Sequence, residues 1–369
     1  MNKRLASVEG LRGLAAIIVL FHHFFLMFYP GYYWQQEYSH LPNGWDHFLG
    51  QTPFAFFLNG NSAVTIFLVI TGFGTMLACH NKSFNVSKFL ITRFFKLFLM
   101  SVAAAGAVWG LSRTGLLLQN EVIAVSNTPW FLDFMPNAFS FKYSLWHDPL
   151  VSLKNFDNML WTMEYFFYGA VLSFIYHVCW NERPTFIANI FIGTIFGVLV
   201  FLEGDPYYIA CVLGCFLGAL YISNDSGLPC AFPCFLFGIW LCAYPTCIQE
   251  AYTLYAKLPN QYFPYYHSLG SALLLYGVLY SNSIRQIFSC KFLTSLGKYS
   301  MAIYLVQYPL LVSVVSKAFI LTEGMRYYQR VCIALAACLV SSGVASWVYH
   351  HLLNRCFRIL DSFYLRIIK

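Results

Sequence analysis

Ten apolar runs divide the chain, at roughly 9–29, 54–79, 89–111, 160–180, 185–202, 207–222, 230–247, 267–281, 299–320 and 331–353, most of them near the about 17–25 residues with which a helix crosses a bilayer. The runs at 207–222 and 267–281 are the short ones. This pattern predicts an all-α fold, a polytopic membrane bundle of about ten transmembrane helices. An even number of crossings puts both termini on one side. No soluble domain, low-complexity linker or internal repeat interrupts the pattern, so residues 1–369 read as a single integral membrane domain.

The first run is broken by Arg12 and His23. At about 100° and about 1.5 Å per residue, eleven residues return to within about 20° of the same face and cover roughly 16 Å. His22 falls about 80° off that face. Cationic and titratable groups are costly in lipid, and their presence there is a functional hypothesis by default.

Composition sharpens the picture. The chain is 59% hydrophobic and 10% charged, with a mean hydropathy of +0.60. Soluble domains are about 25% charged. Disordered, secreted and nucleic-acid-binding readings fail on these values, and the net charge of +7 is explained by its placement. Of the 22 Lys and Arg residues, 15 fall on the side that holds the termini, among them Lys3, Arg4, Lys82, Arg93, Lys96, Arg183, Arg355, Arg358, Arg366 and Lys369. The positive-inside rule makes that side cytoplasmic. Lys3 and Arg4 resemble the basic region of a signal peptide, but no small-residue cleavage site follows the first run, so it reads as an uncleaved helix. The twelve cysteines lie mostly in the runs without a Cys-x-x-Cys pair and read as packing residues. Neither a metal site nor a tightly bound cofactor is expected.

Two loops fall on the opposite side. The longer, about 112–159, holds Trp130, Asp133, Trp146, His147, Asp148 and Asp157, and should pack over the membrane mouth. The other, about 30–53, holds Trp34, Glu37, His40, Trp45, Asp46 and His47. Their aromatics suit either an interfacial belt or substrate binding. On the cytoplasmic side Arg93 and Lys96 share a helix face. They suit either a topology signal or anionic-lipid contact, or the binding of a phosphorylated ligand from the cytosol.

Motifs for a serine hydrolase, a zinc peptidase and a P-loop enzyme are absent. Polar residues inside apolar runs remain: Arg12, His23, Asn59, Asn61, Ser62, Thr65, Thr71 and Glu164. Glu203 and Asp205 read as an exposed turn. Glu164 should find a cation or a histidine. A neutral histidine in a dry site can take a proton from a hydroxyl, which then attacks an activated acyl group.

Four stretches in order resemble the acyltransferase-three family of integral membrane acyltransferases. Glu9-Gly10-Leu11-Arg12-Gly13, followed by His23, is similar to the family's Asp-Gly-Leu-Arg-Gly opening and its Arg-x10-His pattern. Phe67-Leu68-Val69-Ile70-Thr71-Gly72-Phe73 and Trp161-Thr162-Met163-Glu164-Tyr165-Phe166-Phe167-Tyr168 resemble two internal motifs. Leu296-Gly297-Lys298-Tyr299-Ser300, running on through Tyr304 and Gln307 to Pro309-Leu310, resembles a fourth. The departures are Glu9 for Asp, Lys96 for the second Arg of an Arg-x-x-Arg, a Trp161 stretch about two residues short, and Gln307 for a histidine. Lys96 keeps charge but loses the planar grip, and Gln307 cannot titrate.

The resemblance implies an acyl-CoA-dependent O-acyltransferase. Acetyl-CoA or another acyl-CoA would be the co-substrate, and the acceptor a hydroxyl of an envelope glycan or glycolipid. Arg12, Arg93 and Lys96 would meet the donor's phosphates. His23 would be the general base, with Glu164 or Glu9 orienting it or Arg12. Thr71, Trp161 and Tyr304 would support the site. The lipid bilayer is the expected partner, nucleic acid is not, and the setting would be a bacterial cytoplasmic membrane. The competing readings are a transporter or flippase, an unrelated membrane O-acyltransferase with a late histidine, and an acyl-binding protein without chemistry; His350 and His351 are late but read as interfacial, at the end of the last run beside Asn354 and Arg355.

Overall fold

The computed structural model describes residues 3–81, 84–130, 140–147, 149–180, 186–223, 230–246 and 255–367, with side chains up to residue 359. Lys82, Asp133, Asp148, Arg183 and Lys369, and the side chain of Arg366, lie outside the described residues. Every regular element among the described residues is helical. The principal helices are α1 (Lys3–Phe28), α2 (Gly60–Cys79), α3 (Val86–Arg113), α4 (Thr162–Trp180), α5 (Phe186–Glu203), α6 (Tyr208–Ile222), α7 (Ala231–Cys242), α8 (Phe263–Tyr280), α9 (Lys291–Leu310) and α10 (Tyr327–Ile367). A helix therefore stands at each predicted run. Among the described residues, six are long and apolar enough to cross a membrane: α1, α2, α3, α5, α9 with its continuation to Ile320, and α10 through Ile359.

Local chemistry sets the ends that differ from the apolar runs. The run at 54–79 begins as a 3-10 segment at Pro53–Leu58, and α2 starts only at Gly60. Asn59 is the cap: its side-chain oxygen accepts from the Ser62 N–H at 3.1 Å. The run at 230–247 yields a helix of only 12 residues, because Pro245 lies just beyond Cys242 and cannot continue it.

The chain divides into two compact units, each of three segments. The first holds residues 1–19, 47–85 and 165–300. Its core packs α2 on α6 so closely that a Cβ on Gly72 would lie 2.1 Å from the Cys211 carbonyl oxygen. In lipid the hydrophobic effect does not pull helices together, so backbone proximity and interhelical hydrogen bonds must. Thr65 Oγ1 meets Ser271 Oγ at 2.7 Å, and Asn59 Nδ2 donates to the Tyr244 carbonyl at 2.8 Å. Asn61 accepts from Tyr207 at 3.1 Å. Asp205, predicted to be exposed, is half-buried and accepts from the Tyr165 hydroxyl at 2.9 Å. The turn folds back on α4, which takes the carboxylate partly out of solvent. On α5, Ile187, Phe191, Leu199 and Leu202 stay exposed, as a lipid-facing helix requires.

The second unit holds residues 20–46, 86–164 and 301–369. Pro309 sits inside α9 and has no N–H to donate. The helix widens just after it into a π turn at Leu311–Val315, where Ser316 Oγ donates to the Leu311 carbonyl at 2.7 Å. The Val312 carbonyl accepts from the Leu118 N–H at 2.8 Å, which seats the short helix Gln119–Ser126 on that turn. Arg330 is buried over the Phe319 ring at 3.9 Å and donates to the Phe319 carbonyl. Tyr349 on α10 donates to the Met100 carbonyl on α3 at 2.7 Å.

Candidate functional site

In the first unit the motif glycines serve helix contact. A Cβ on Gly10 would lie 1.8 Å from the Phe288 carbonyl oxygen, and one on Gly297 would lie 2.0 Å from that of Glu9. The start of α9 thus lies against the backbone of α1. Arg12, one turn along, donates from one guanidinium nitrogen to both Glu9 oxygens at 3.1 and 3.3 Å. Its other terminal nitrogen donates to Ser300 Oγ at 3.2 Å. A fork-shaped cation is held in one orientation from two sides. Its side chain keeps 33% of its surface exposed, so it can still reach a ligand. Thr71 sits half-buried on α2.

In the second unit His23 is buried near the other end of α1. Its ring stacks on Trp130 at 5.1 Å, and the His22 ring meets it edge-on at 4.9 Å. His22 itself lies against Tyr33 at 4.9 Å. Trp130 belongs to the long aromatic loop, which is pinned there by Thr128 Oγ1 donating to the Leu26 carbonyl at 2.6 Å. Trp130 also meets the Tyr308 ring edge-on at 6.1 Å. Tyr304 is buried; its hydroxyl donates to the Met159 carbonyl at 2.9 Å and pairs with Thr162 at 3.0 Å. Gln307 is buried on the same helix and donates to the Tyr304 carbonyl at 2.9 Å. Glu164 lies in the first turn of α4, where the helix dipole favours a carboxylate, with Trp161 just before it; both are partly exposed.

The predicted basic pair is also in this unit. Arg93 lies over the Phe89 ring at 5.9 Å, and Lys96 over Phe357 of α10 at 5.3 Å.

Two residues here were not singled out by sequence reasoning. Trp130 was one aromatic among many in a loop, and nothing in its spacing points to His23. Asp157 is fully buried. One of its oxygens caps the short turn Asn158–Trp161, accepting from the Met159 N–H at 2.9 Å. Its other oxygen has no hydrogen-bond partner among the described residues. Burial pushes its carboxyl up to about 7, and the Met159 N–H only partly offsets this. It lies within electrostatic reach of Tyr304, Tyr308 and Tyr349. Strongly perturbed buried groups mark functional sites more often than chance.

None of the eleven described cysteines is in a disulfide, and no group of three or more metal-ligating side chains occurs among the described residues. A family model for the acyltransferase domain of the acyltransferase-3 family matches residues 5–350. No curated protein and no solved structure matches the chain.

Proposed function

Because this chain belongs to the acyltransferase-3 family, whose members are membrane acyltransferases, we propose that it moves an acyl group, acetyl in the first instance, from acyl-CoA to a hydroxyl of an envelope glycan or glycolipid. The observation that carries this reading is α1. One unbroken helix presents a clamped arginine, Arg12, and about 16 Å further along a buried imidazole, His23. The pantetheine arm of CoA is of that order of length.

In this reading the donor enters from the cytoplasm, where both chain termini lie, in the inner membrane of a bacterium. Arg12 meets its phosphates, and Arg93 and Lys96 are further cations that suit a phosphorylated ligand. His23 takes the proton of the acceptor hydroxyl. The oxygen attacks the thioester carbonyl, the carbon–sulfur bond breaks, and the leaving thiolate receives the proton from the imidazolium. Trp130 holds the ring in plane and keeps water from one of its faces. Glu9 fixes Arg12, and Glu164 orients the site from the start of α4. Tyr304, with Thr162 and the Met159 carbonyl, supports the second unit around His23, and Trp161 stands at the start of α4. Gln307 has no ionisable proton, so a second acid or base at that position is absent from the scheme.

The test is acetyl-CoA binding and thioester cleavage by the protein in nanodiscs, for wild type, Arg12→Ala and His23→Gln. The expected result is binding lost in Arg12→Ala, and cleavage lost with binding retained in His23→Gln. Cleavage at the wild-type rate in a folded His23→Gln protein would remove the base assignment.

A further inference from the structure

The family match ends at residue 350, but α10 continues to Ile367, far beyond the about 20 residues a crossing needs. The continuation is not bare helix. An open cavity of about 510 Å³ is lined by Lys96, His351, Asn354, Arg355, Phe357 and Arg358. All but Lys96 lie past the matched segment.

Among the described residues, three of the six that line it are cationic and none is acidic. His351, Asn354, Arg355 and Arg358 recur at helical spacing, so they form one stripe on α10. Local bonds set their orientation. His351 Nδ1 donates to the Trp347 carbonyl at 2.7 Å, and Arg358 Nε donates to the Asn354 carbonyl at 3.3 Å. That bond uses the inner nitrogen of Arg358 and leaves its terminal fork. Lys96 faces the stripe across the Phe357 ring at 5.3 Å. Like charges gathered in a concave site repel one another, and the arrangement becomes favourable when a polyanion sits among them. Guanidinium forks match phosphate oxygens two at a time, while Lys96 adds a point charge. A volume of this size takes a nucleotide.

We propose that the tail of α10 and Lys96 form a binding pocket for a phosphate monoester, the 3′-phosphorylated nucleotide end of the acyl-CoA donor. The inference rests on the acyl-CoA reading above and adds residues outside the family segment to the donor site. An anionic lipid headgroup carries the same phosphate chemistry, and the experiment separates the two sources.

The full chain is placed in nanodiscs of neutral lipid. Affinities for CoA and for dephospho-CoA, which lacks the 3′-phosphate, are measured for wild type and for Arg355→Ala/Arg358→Ala. Both arginines are exposed, and size exclusion confirms that the variant is folded. Loss of charge-assisted contacts should weaken CoA binding about tenfold or more and leave dephospho-CoA almost unchanged. Equal CoA affinity in the two proteins overturns the inference and leaves the acyl-CoA reading standing. If wild type binds no CoA, the donor reading fails. The pocket is then judged in nanodiscs containing phosphatidic acid, counting retained lipids by native mass spectrometry. Lipids lost in the double variant assign the pocket to headgroup phosphate, and equal counts overturn it altogether.

Discussion

Replacing Asp157 by Asn should make the protein more stable at neutral and alkaline pH and remove a pH dependence. The carboxyl is fully buried, and its folded pKa is raised from 3.8 to about 7. Between those values the folded protein holds a proton that the unfolded chain has released. Stability contributed by this group is therefore fully present below about pH 4, declines as pH rises, and is lost above about 7. Each pH step of one across that window removes about 1.4 kcal/mol, so the whole window removes about 4 kcal/mol. Asn keeps the oxygen that caps Met159, so the turn at Asn158–Trp161 survives the substitution. Thermal unfolding of both proteins in detergent, at steps from pH 4.5 to 8.5, reads the effect. The part of the window between pH 4.5 and about 7 removes about 3.4 kcal/mol, so at roughly 2 °C per kcal/mol, the lower end for large chains, the wild-type midpoint should fall by roughly 7 °C more than that of the variant. Parallel curves for the two proteins would refute the argument, because they would mean the carboxylate reaches a compensating partner or water.

Other substitutions probe the packing and the clamp. Gly297→Ala would set a methyl 2.0 Å from the Glu9 carbonyl and force α9 away from α1. It should cost about 1–3 kcal/mol in thermal or denaturant unfolding. Asn59→Ala removes the cap of α2 and the bond to the Tyr244 carbonyl, and a loss of about 2 kcal/mol is expected in the same assay. Trp130→Ala frees the His23 ring without changing any charge; turnover should fall by up to about 10²-fold while donor affinity holds, which kcat and KM would separate. Arg12→Lys keeps the charge but cannot serve Glu9 and Ser300 together, so donor binding should weaken in equilibrium titrations although expression is normal.

Helical places were legible in the sequence because apolarity sustained over a bilayer's thickness has few other causes. The end of α7 was less so, since apolar residues continue past the point where Pro245 stops the helix. The Glu9–Arg12 pair could be read from an i,i+3 spacing. Its third member, Ser300, could not, because the contact depends on how closely Gly10 and Gly297 let two helices approach. Asp157 looked like any loop carboxylate. Its burial comes from the fold of a long connection that has no periodicity to read. The cavity at the end of α10 was hidden for a different reason. Arg355 and Arg358 counted as topology charges, and only the placement of Lys96 beside Phe357 gives them a common ligand face.

The ion pair on α1 bears on how the chain enters its membrane. Ser300 is made 288 residues after Arg12, so during synthesis the arginine must be accommodated without it. Glu9 emerges first and lies one turn before Arg12 on the same helix, within 3.1 Å once the turn forms. A nascent helix therefore carries its own counter-charge to the translocation machinery, which lowers the cost of placing a guanidinium at the membrane edge. In this chain Glu9 therefore neutralises Arg12 from the moment their shared turn forms, before Ser300 exists to complete the clamp.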